Sequence, residues 1–192
     1  MNYKLNPMKK ILMIALVFLL PQLAFSQTAE TKVKRIRQLY NEAQEAAKYK
    51  DSEEWVEHGA WSLKFESMIN YAGGGPVKHR TEILLTSPFE ADEPDHPRFN
   101  TVIPRLVRET IERSVTIYRE WLFDPETEDF IFCYQRVAGY NGPKEQRLYF
   151  DKGRLIKAVP ASIDENWMEE PSVLIKKAQA FKEMVRTYNL IE

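Results

Sequence analysis

The residues from Leu106 to Val159 constrain the fold more than any other part of the sequence, because apolar strand-like runs alternate there with short turns. Aromatic and β-branched side chains dominate the runs, and such residues favour extended strands. Turn-forming residues separate them at positions 124–128, 139–143 and 151–153. This arrangement predicts a meander of antiparallel strands around which the rest of the chain is built.

The first part of that stretch, Leu106 to Asp124, is compatible with two structures. Val107, Ile111 and Val115 are spaced by four, as in a helix. The same region is rich in β-branched residues, and we favour a strand for that reason. A strand of this length exceeds the usual range, so we expect a bulge or a break inside it.

Further strands and helices are predicted on either side of the meander. Trp61 to Tyr71 alternates apolar and polar residues, and it forms a hairpin with Val77 to Thr86 across a glycine loop. Apolar residues three and four apart predict helices at Thr31–Lys50 and Pro171–Asn189. The expected fold is α+β, an antiparallel meander of five to six strands flanked by N- and C-terminal helices.

The first 26 residues have the anatomy of a secretory signal peptide. Lys9 and Lys10 precede the apolar run Ile11–Leu20, and Ala24-Phe25-Ser26 resembles a cleavage site. The run is too short to span a bilayer. We therefore expect a periplasmic or secreted protein, with residues 27–192 forming one soluble α+β domain without a membrane span after cleavage.

Charge and cysteine content narrow the function classes. The chain has 27 basic residues, and removing the three leader lysines leaves 24 against 28 acidic ones. This balance lacks the clustered positive charge of nucleic-acid binders, so no nucleic acid is expected as a partner. The single Cys133 cannot form an intramolecular disulfide, and its apolar surroundings predict a buried thiol.

Two segments of the meander repeat a pattern. Each copy leads into a turn, and the strand after the turn begins with a large apolar residue followed by Ile. The copies are Trp121-Leu122-Phe123-Asp124 and Leu148-Tyr149-Phe150-Asp151. The segment YFDKGRLI resembles the tyrosine-aspartate hairpin units of bacterial surface proteins. The phrases KVKRIRQLYNEAQE, YREWLFD and RLYFDKGRLIKA resemble small exported Bacteroidota proteins without assigned activity. That resemblance implies an α+β fold with flanking helices and no particular mechanism.

Aromatic and acidic residues supply the candidate sites. If several aromatic side chains share the open face of the sheet, they form a sugar, peptide or protein site. The candidate ligand-binding residues are Trp61, Tyr118, Trp121, Tyr134 and Arg136. The proline-rich loop at 87–104 carries Asp92, Asp95 and His96, whose donors could hold a divalent cation. A solvated acidic loop is the alternative there.

No motif fixes a reaction. The sequence has no G-x-S-x-G, H-E-x-x-H or phosphate loop, so no catalytic residue and no cofactor are assigned. The favoured function is a non-enzymatic binding module of the cell envelope, with an envelope protein, peptide or glycan as partner. The alternatives are a small envelope hydrolase with acidic catalytic residues and a structural homodimer joined through a sheet edge.

The leader generates the first prediction. Expressed in a bacterium with a Sec pathway, the exported protein should begin at Gln27, as measured by intact-mass spectrometry. Leu16→Arg interrupts the apolar run and should keep the full-length chain inside the cell. Export of an uncleaved chain would contradict the assignment.

Overall fold

A seven-stranded antiparallel sheet carries one helix on each face. The computed structural model describes residues 29–53, 62–72, 74–85, 103–139, 142–163 and 167–189. Helix α1 covers residues 29–46, and helix α2 is Pro171–Asn189. The strands are β1 (Ser62–Tyr71), β2 (Gly75–Leu85), β3 (Pro104–Glu112), β4 (Thr116–Phe123), β5 (Phe130–Gly139), β6 (Gly142–Asp151) and β7 (Arg154–Val159).

The strands lie side by side in sequence order, and every neighbouring pair is antiparallel. The predicted α+β class, the meander and the terminal helices are therefore confirmed. The predicted count of five to six strands is wrong, since the sheet has seven. The extra strand comes from the stretch 106–124, which we had expected to be one strand with an internal break.

A three-residue turn supplies that break. Residues Arg113 to Val115 leave the sheet between β3 and β4, and the Arg113 N–H donates to the Val115 carbonyl at 3.2 Å. The turn contains neither glycine nor proline, and Val115 is itself a strand-favouring residue. Local sequence therefore gives little sign of the reversal, although the strand assignment for Leu106 is confirmed.

Both faces of the sheet are apolar in the middle. On the face covered by α2, which we call the α2 face, Trp121 and Cys133 are fully buried. On the opposite face, covered by α1 and called the α1 face, Leu122 and Phe132 are buried beneath the helix. Successive strand residues point to opposite faces, so two apolar layers require continuous apolar runs in the central strands.

Each helix buries the stripe that its sequence predicts. Val33, Ile36, Ala43 and Ala47 of the α1 segment are buried against the sheet. In α2 the buried stripe is Leu174, Ala178, Phe181 and Val185, and the Phe181 ring meets the Trp121 ring edge-on at 5.0 Å between centroids. Aromatic pairs in this geometry add to the free energy of burial.

The two sequence repeats share a register shift, although the loop between Asp124 and Asp129 is longer than the two-residue turn between Asp151 and Arg154. Strand register shifts between Leu122 and Phe123 in the first repeat and between Tyr149 and Phe150 in the second. The Asp124 carboxylate accepts from the Glu126 N–H at 2.9 Å and closes its turn. Asp124 and Asp151 also pair with Arg35 at 3.3 Å and Lys32 at 2.5 Å, so the repeats hold the start of α1 on the sheet.

Cys133 is fully buried, as predicted, and burial raises the pKa of its thiol. The predicted signal peptide at residues 1–26 and most of the proline-rich loop lie outside the described residues. Within the part that the structure describes, no helix combines the length and apolar character that crossing a membrane requires.

The packing of α2 gives a stability prediction. Phe181→Ala removes a ring that is 7% exposed and should lower the free energy of unfolding by about 3 kcal/mol. Met184→Ala, on the same helix but 39% exposed, should change it by less than about 0.5 kcal/mol. Chemical denaturation of both variants measures the difference, and equal effects would contradict the observed packing of α2.

Candidate functional site

The α1 face carries polar side chains directly beside its apolar layer. Strand register places a row of opposed residues there, namely Glu82, Arg108, Glu120, Tyr134 and Arg147. The next row along the strands contains Arg80, Thr110, Tyr118, Arg136 and Glu145. Polar side chains on this face therefore form two rows beside the apolar layer, and Tyr40 and Gln44 of α1 contact the first row.

The Glu120 carboxylate is the centre of the first row. It is buried, and it accepts hydrogen bonds from the Tyr40 and Tyr118 hydroxyl groups. Gln44 Nε2 donates to its two oxygens at 3.0 and 3.1 Å, and Arg108 Nε donates at 3.2 Å. Four donors satisfy the charge, as a buried carboxylate requires. The cluster therefore joins α1 to the sheet.

The two phenols are held in their protonated form. Burial is the main cause that raises the pKa of Tyr40, and donation to the Glu120 carboxylate raises it further. Burial and the negative charge of Glu120 raise the pKa of Tyr118 in the same way. Both hydroxyl groups consequently remain donors over the whole physiological pH range.

A groove beside this cluster has the dimensions of a ligand site. It has a volume of about 440 Å³, and its lining residues are Ile36, Arg37, Tyr40, Asn41, Phe132, Arg147, Tyr149 and Val159. We call it the α1 groove, since it runs between α1 and strands β5 to β7. Small-molecule sites commonly occupy about 300–1,000 Å³ and combine apolar walls with a few polar groups.

Aromatic rings form the wall of the α1 groove. The ring of Phe132 lies 4.9 Å from that of Tyr40 and 5.1 Å from that of Tyr149, measured between centroids. Phe132 is tilted against both other rings. Phe132 and Tyr149 are only 3% and 2% exposed, so the half-buried Tyr40 ring supplies most of the aromatic surface that a ligand in the groove could contact.

Two guanidinium groups stand at the groove. Arg37 extends over the Tyr149 ring at 5.7 Å and donates from Nε to the Tyr149 hydroxyl oxygen at 3.3 Å. Arg147 lies over the Tyr134 ring at 5.3 Å, and its nearest acid, Glu145, is 3.6 Å away. The groove lining contains no Asp or Glu. Its charge therefore favours an anionic ligand group.

The lining of the α1 groove limits its chemistry. None of the residues that line it is a Ser, Cys, His, Asp or Glu. A nucleophile with its base, or a pair of carboxylates, is therefore not provided by these residues. What the groove offers is an apolar wall, two cations and the side-chain amide of Asn41, which is a binding arrangement.

The α2 face holds a second polar network. Arg119 Nη1 lies 2.9 Å from Glu109 and Nη2 lies 3.3 Å from Glu169, while Lys177 contacts both acids at 3.5 and 2.7 Å. His79 Nε2 is 3.0 Å from Glu109. Arg119 and Glu109 are almost fully buried, and removal of one member leaves an uncompensated charge. We interpret this network as the support of the segment that leads into α2.

The sequence-predicted ligand residues are divided between the faces. Tyr118 and Tyr134 lie together on the α1 face with ring centroids 6.2 Å apart, and Arg136 is opposed to Tyr118 on the neighbouring strand. Trp121 lies on the other face, completely buried against α2, so it does not share a surface with them. The reason is the alternation of side chains along a strand, since odd and even residues of β4 point to opposite faces of the sheet.

Burial and the hydrogen bond to Glu145 raise the pKa of Tyr134 to about 12. Trp61 and the candidate metal ligands Asp92, Asp95 and His96 lie outside the described residues. Among the residues that the structure does describe, no group of three or more His, Cys, Asp or Glu side chains is arranged to hold a metal ion.

Sequence reasoning missed most of the groove residues. Arg37 is exposed on α1, and Phe132 and Tyr149 are buried, so exposure alone does not mark these three residues as neighbours. Their convergence depends on where α1 crosses the sheet, which periodicity does not specify. A guanidinium one residue from a buried stripe position, as Arg37 is from Ile36, is the signal that could have marked the rim.

Comparison with known proteins does not identify a family for this chain. The chain matches no protein-family model, and no curated protein or solved structure is found to be similar to it.

The Glu120 cluster generates a pH prediction. A phenol whose pKa is raised by folding stabilises the protein fully below its unfolded value of about 10, and that contribution disappears as pH rises through the higher folded value. The thermal unfolding midpoint (Tm) should therefore decrease as the pH is raised from about 9 to about 11. The decrease should be smaller in the double variant Tyr40→Phe/Tyr118→Phe. At pH 8 each single Phe variant should cost about 1–2 kcal/mol.

Tyr71→Phe is the matched control, because Tyr71 is an exposed phenol on the β1–β2 hairpin. It should leave both the stability and its alkaline dependence unchanged. A double variant that keeps the full alkaline loss would show that Glu120 is not held by these hydroxyl groups.

Proposed function

We propose that this protein is a non-enzymatic binding module of the cell envelope, whose ligand site is the α1 groove. The observation that carries the proposal is the pairing of a three-ring aromatic wall with two guanidinium groups and no acidic lining residue. The envelope location rests on the signal-peptide pattern of residues 1–26.

The chemistry of the groove defines a ligand class. An anionic group would pair with Arg37 and Arg147, and an apolar group would contact the half-buried Tyr40 ring and the small exposed parts of Phe132 and Tyr149. Charge-assisted hydrogen bonds to the two guanidinium groups would fix the orientation of the ligand. Acidic glycans and peptides that end in a carboxylate beside an aromatic side chain belong to this class.

The groove is pre-organised for binding. Tyr40 is held by Glu120, and Arg37 by the Tyr149 hydroxyl group. Side chains that are already ordered lose less conformational entropy when a ligand arrives. A hydrolase would instead need converging titratable groups in the groove, and the aromatic and cationic lining favours binding over that alternative.

Binding of 1-anilinonaphthalene-8-sulfonate, an aromatic sulfonate, tests the proposal. The native protein should bind this probe with one-to-one stoichiometry, followed by fluorescence titration. Arg37→Gln and Arg147→Gln should each weaken binding by about three- to tenfold, since each removes one charged donor. Binding should also weaken with added salt.

Arg154→Gln is the matched control, because it removes an exposed guanidinium from β7 that does not line the groove. It should leave the dissociation constant unchanged. If Arg136→Gln has the largest effect, the ligand occupies the open surface around Tyr118 and Tyr134, and the groove assignment is wrong.

A further inference from the structure

The two edges of the sheet are built differently. Strand β7 is 6 residues long, follows a register shift in β6, and is followed directly by Pro160. Strand β1 has 10 residues and pairs with β2 without a register shift. Short strands, bulges and prolines discourage a sheet edge from pairing with another chain, whereas a long regular strand invites it. The edge at β1 is therefore the one suited to association.

Most side chains of β1 are exposed. On the α2 side of the sheet, Phe65, Ile69 and Tyr71 are 38%, 51% and 57% exposed. On the α1 side, Lys64 is 2.9 Å from Asp51 and Glu66 is 2.9 Å from Lys78, while Met68 is 66% exposed. The charges of β1 are thus paired within the subunit, and within the part of the chain that the structure describes its apolar side chains are largely uncovered.

We propose that β1 pairs antiparallel with β1 of a second copy of this chain, about a two-fold axis at Ser67. In this register Phe65 of each copy lies opposite Ile69 of the other, and Leu63 lies opposite Tyr71. Aromatic–aliphatic pairs of this kind stabilise neighbouring strands. The small Ser67 side chain meets its own copy at the axis, where a bulky residue would clash or a charged one repel.

Neighbouring registers can be compared in the same way, and an axis at Met68 places Ile69 opposite Ser67 instead of an apolar residue. An axis at Glu66 places two carboxylates directly opposite each other, which is destabilising. An axis at Phe65 leaves Ile69 and Tyr71 opposite residues that precede β1. The axis at Ser67 therefore pairs residues 63–71 of the two copies and places apolar side chains opposite one another on the α2 side, while on the α1 side Lys64 lies opposite Asn70 and Glu66 lies opposite Met68.

The two-fold axis of an antiparallel strand pair stands perpendicular to the sheet, so both copies keep the same face on the same side. The α1 groove lies at strands β5 to β7, far from β1 along the sheet. The dimer therefore leaves both grooves open on one side of a continuous sheet. Two sites on one rigid body bind a repeating ligand more tightly than one.

Sedimentation velocity and light scattering measure the association. The purified protein should form a dimer at about 100 µM and dissociate on dilution, as expected for a modest interface. Ile69→Lys replaces two apolar pairs per dimer and should raise the dissociation constant about tenfold. Val173→Lys, at an apolar residue on α2 that is 41% exposed, should leave it unchanged. A native protein that stays monomeric at about 100 µM overturns the proposal.

Disulfide trapping tests the register. Opposed residues of antiparallel strands have Cα atoms about 4.5–5.5 Å apart, within the range of a disulfide. Ser67→Cys should therefore give a covalent dimer under mild oxidation, and the buried Cys133 should not react. Ser114→Cys, exposed in the β3–β4 turn, should remain monomeric. If the protein forms a dimer but Ser67→Cys cross-links no better than Ser114→Cys, the proposal that β1 forms the interface is wrong.

Discussion

The central strands carry large apolar side chains on both faces of the sheet, and this double burial controls the rest of the structure. Trp121 and Leu122 are neighbours in β4 and face opposite layers, as do Phe132 and Cys133 in β5. A sheet of this kind is stable in water only when something covers each face. One helix at each end of the meander meets that requirement.

Polar clusters border both apolar layers, and their central carboxylates are buried as well. Next to the apolar layer under α1 lies Glu120, and next to the layer under α2 lies Glu109. Each buried carboxylate is satisfied by donors from the neighbouring strands and from the covering segment. Buried charges that are fully paired fix the position of the covering element, because any displacement leaves a charge without a partner.

The α1 groove follows from the same geometry. The groove lies where α1 crosses strands β5 to β7, and the buried rings of Phe132 and Tyr149 form part of its wall there. The helix supplies Arg37 and Tyr40, and the strands supply Phe132, Arg147 and Tyr149. A binding surface thus arises where a buried apolar layer meets a charged margin, without a motif in either element alone.

Periodicity and composition determined the α+β class, the antiparallel meander, both helices and the burial of Cys133, because these depend on local alternation and on turn chemistry. They did not determine the seventh strand, since the turn before Thr116 lacks glycine and proline. They also did not predict that Trp121 and Tyr118 face opposite sides of the sheet, or that Arg37 contacts Tyr149. Those outcomes depend on strand register and on the path of α1 over the sheet, which are set by contacts between residues distant in sequence.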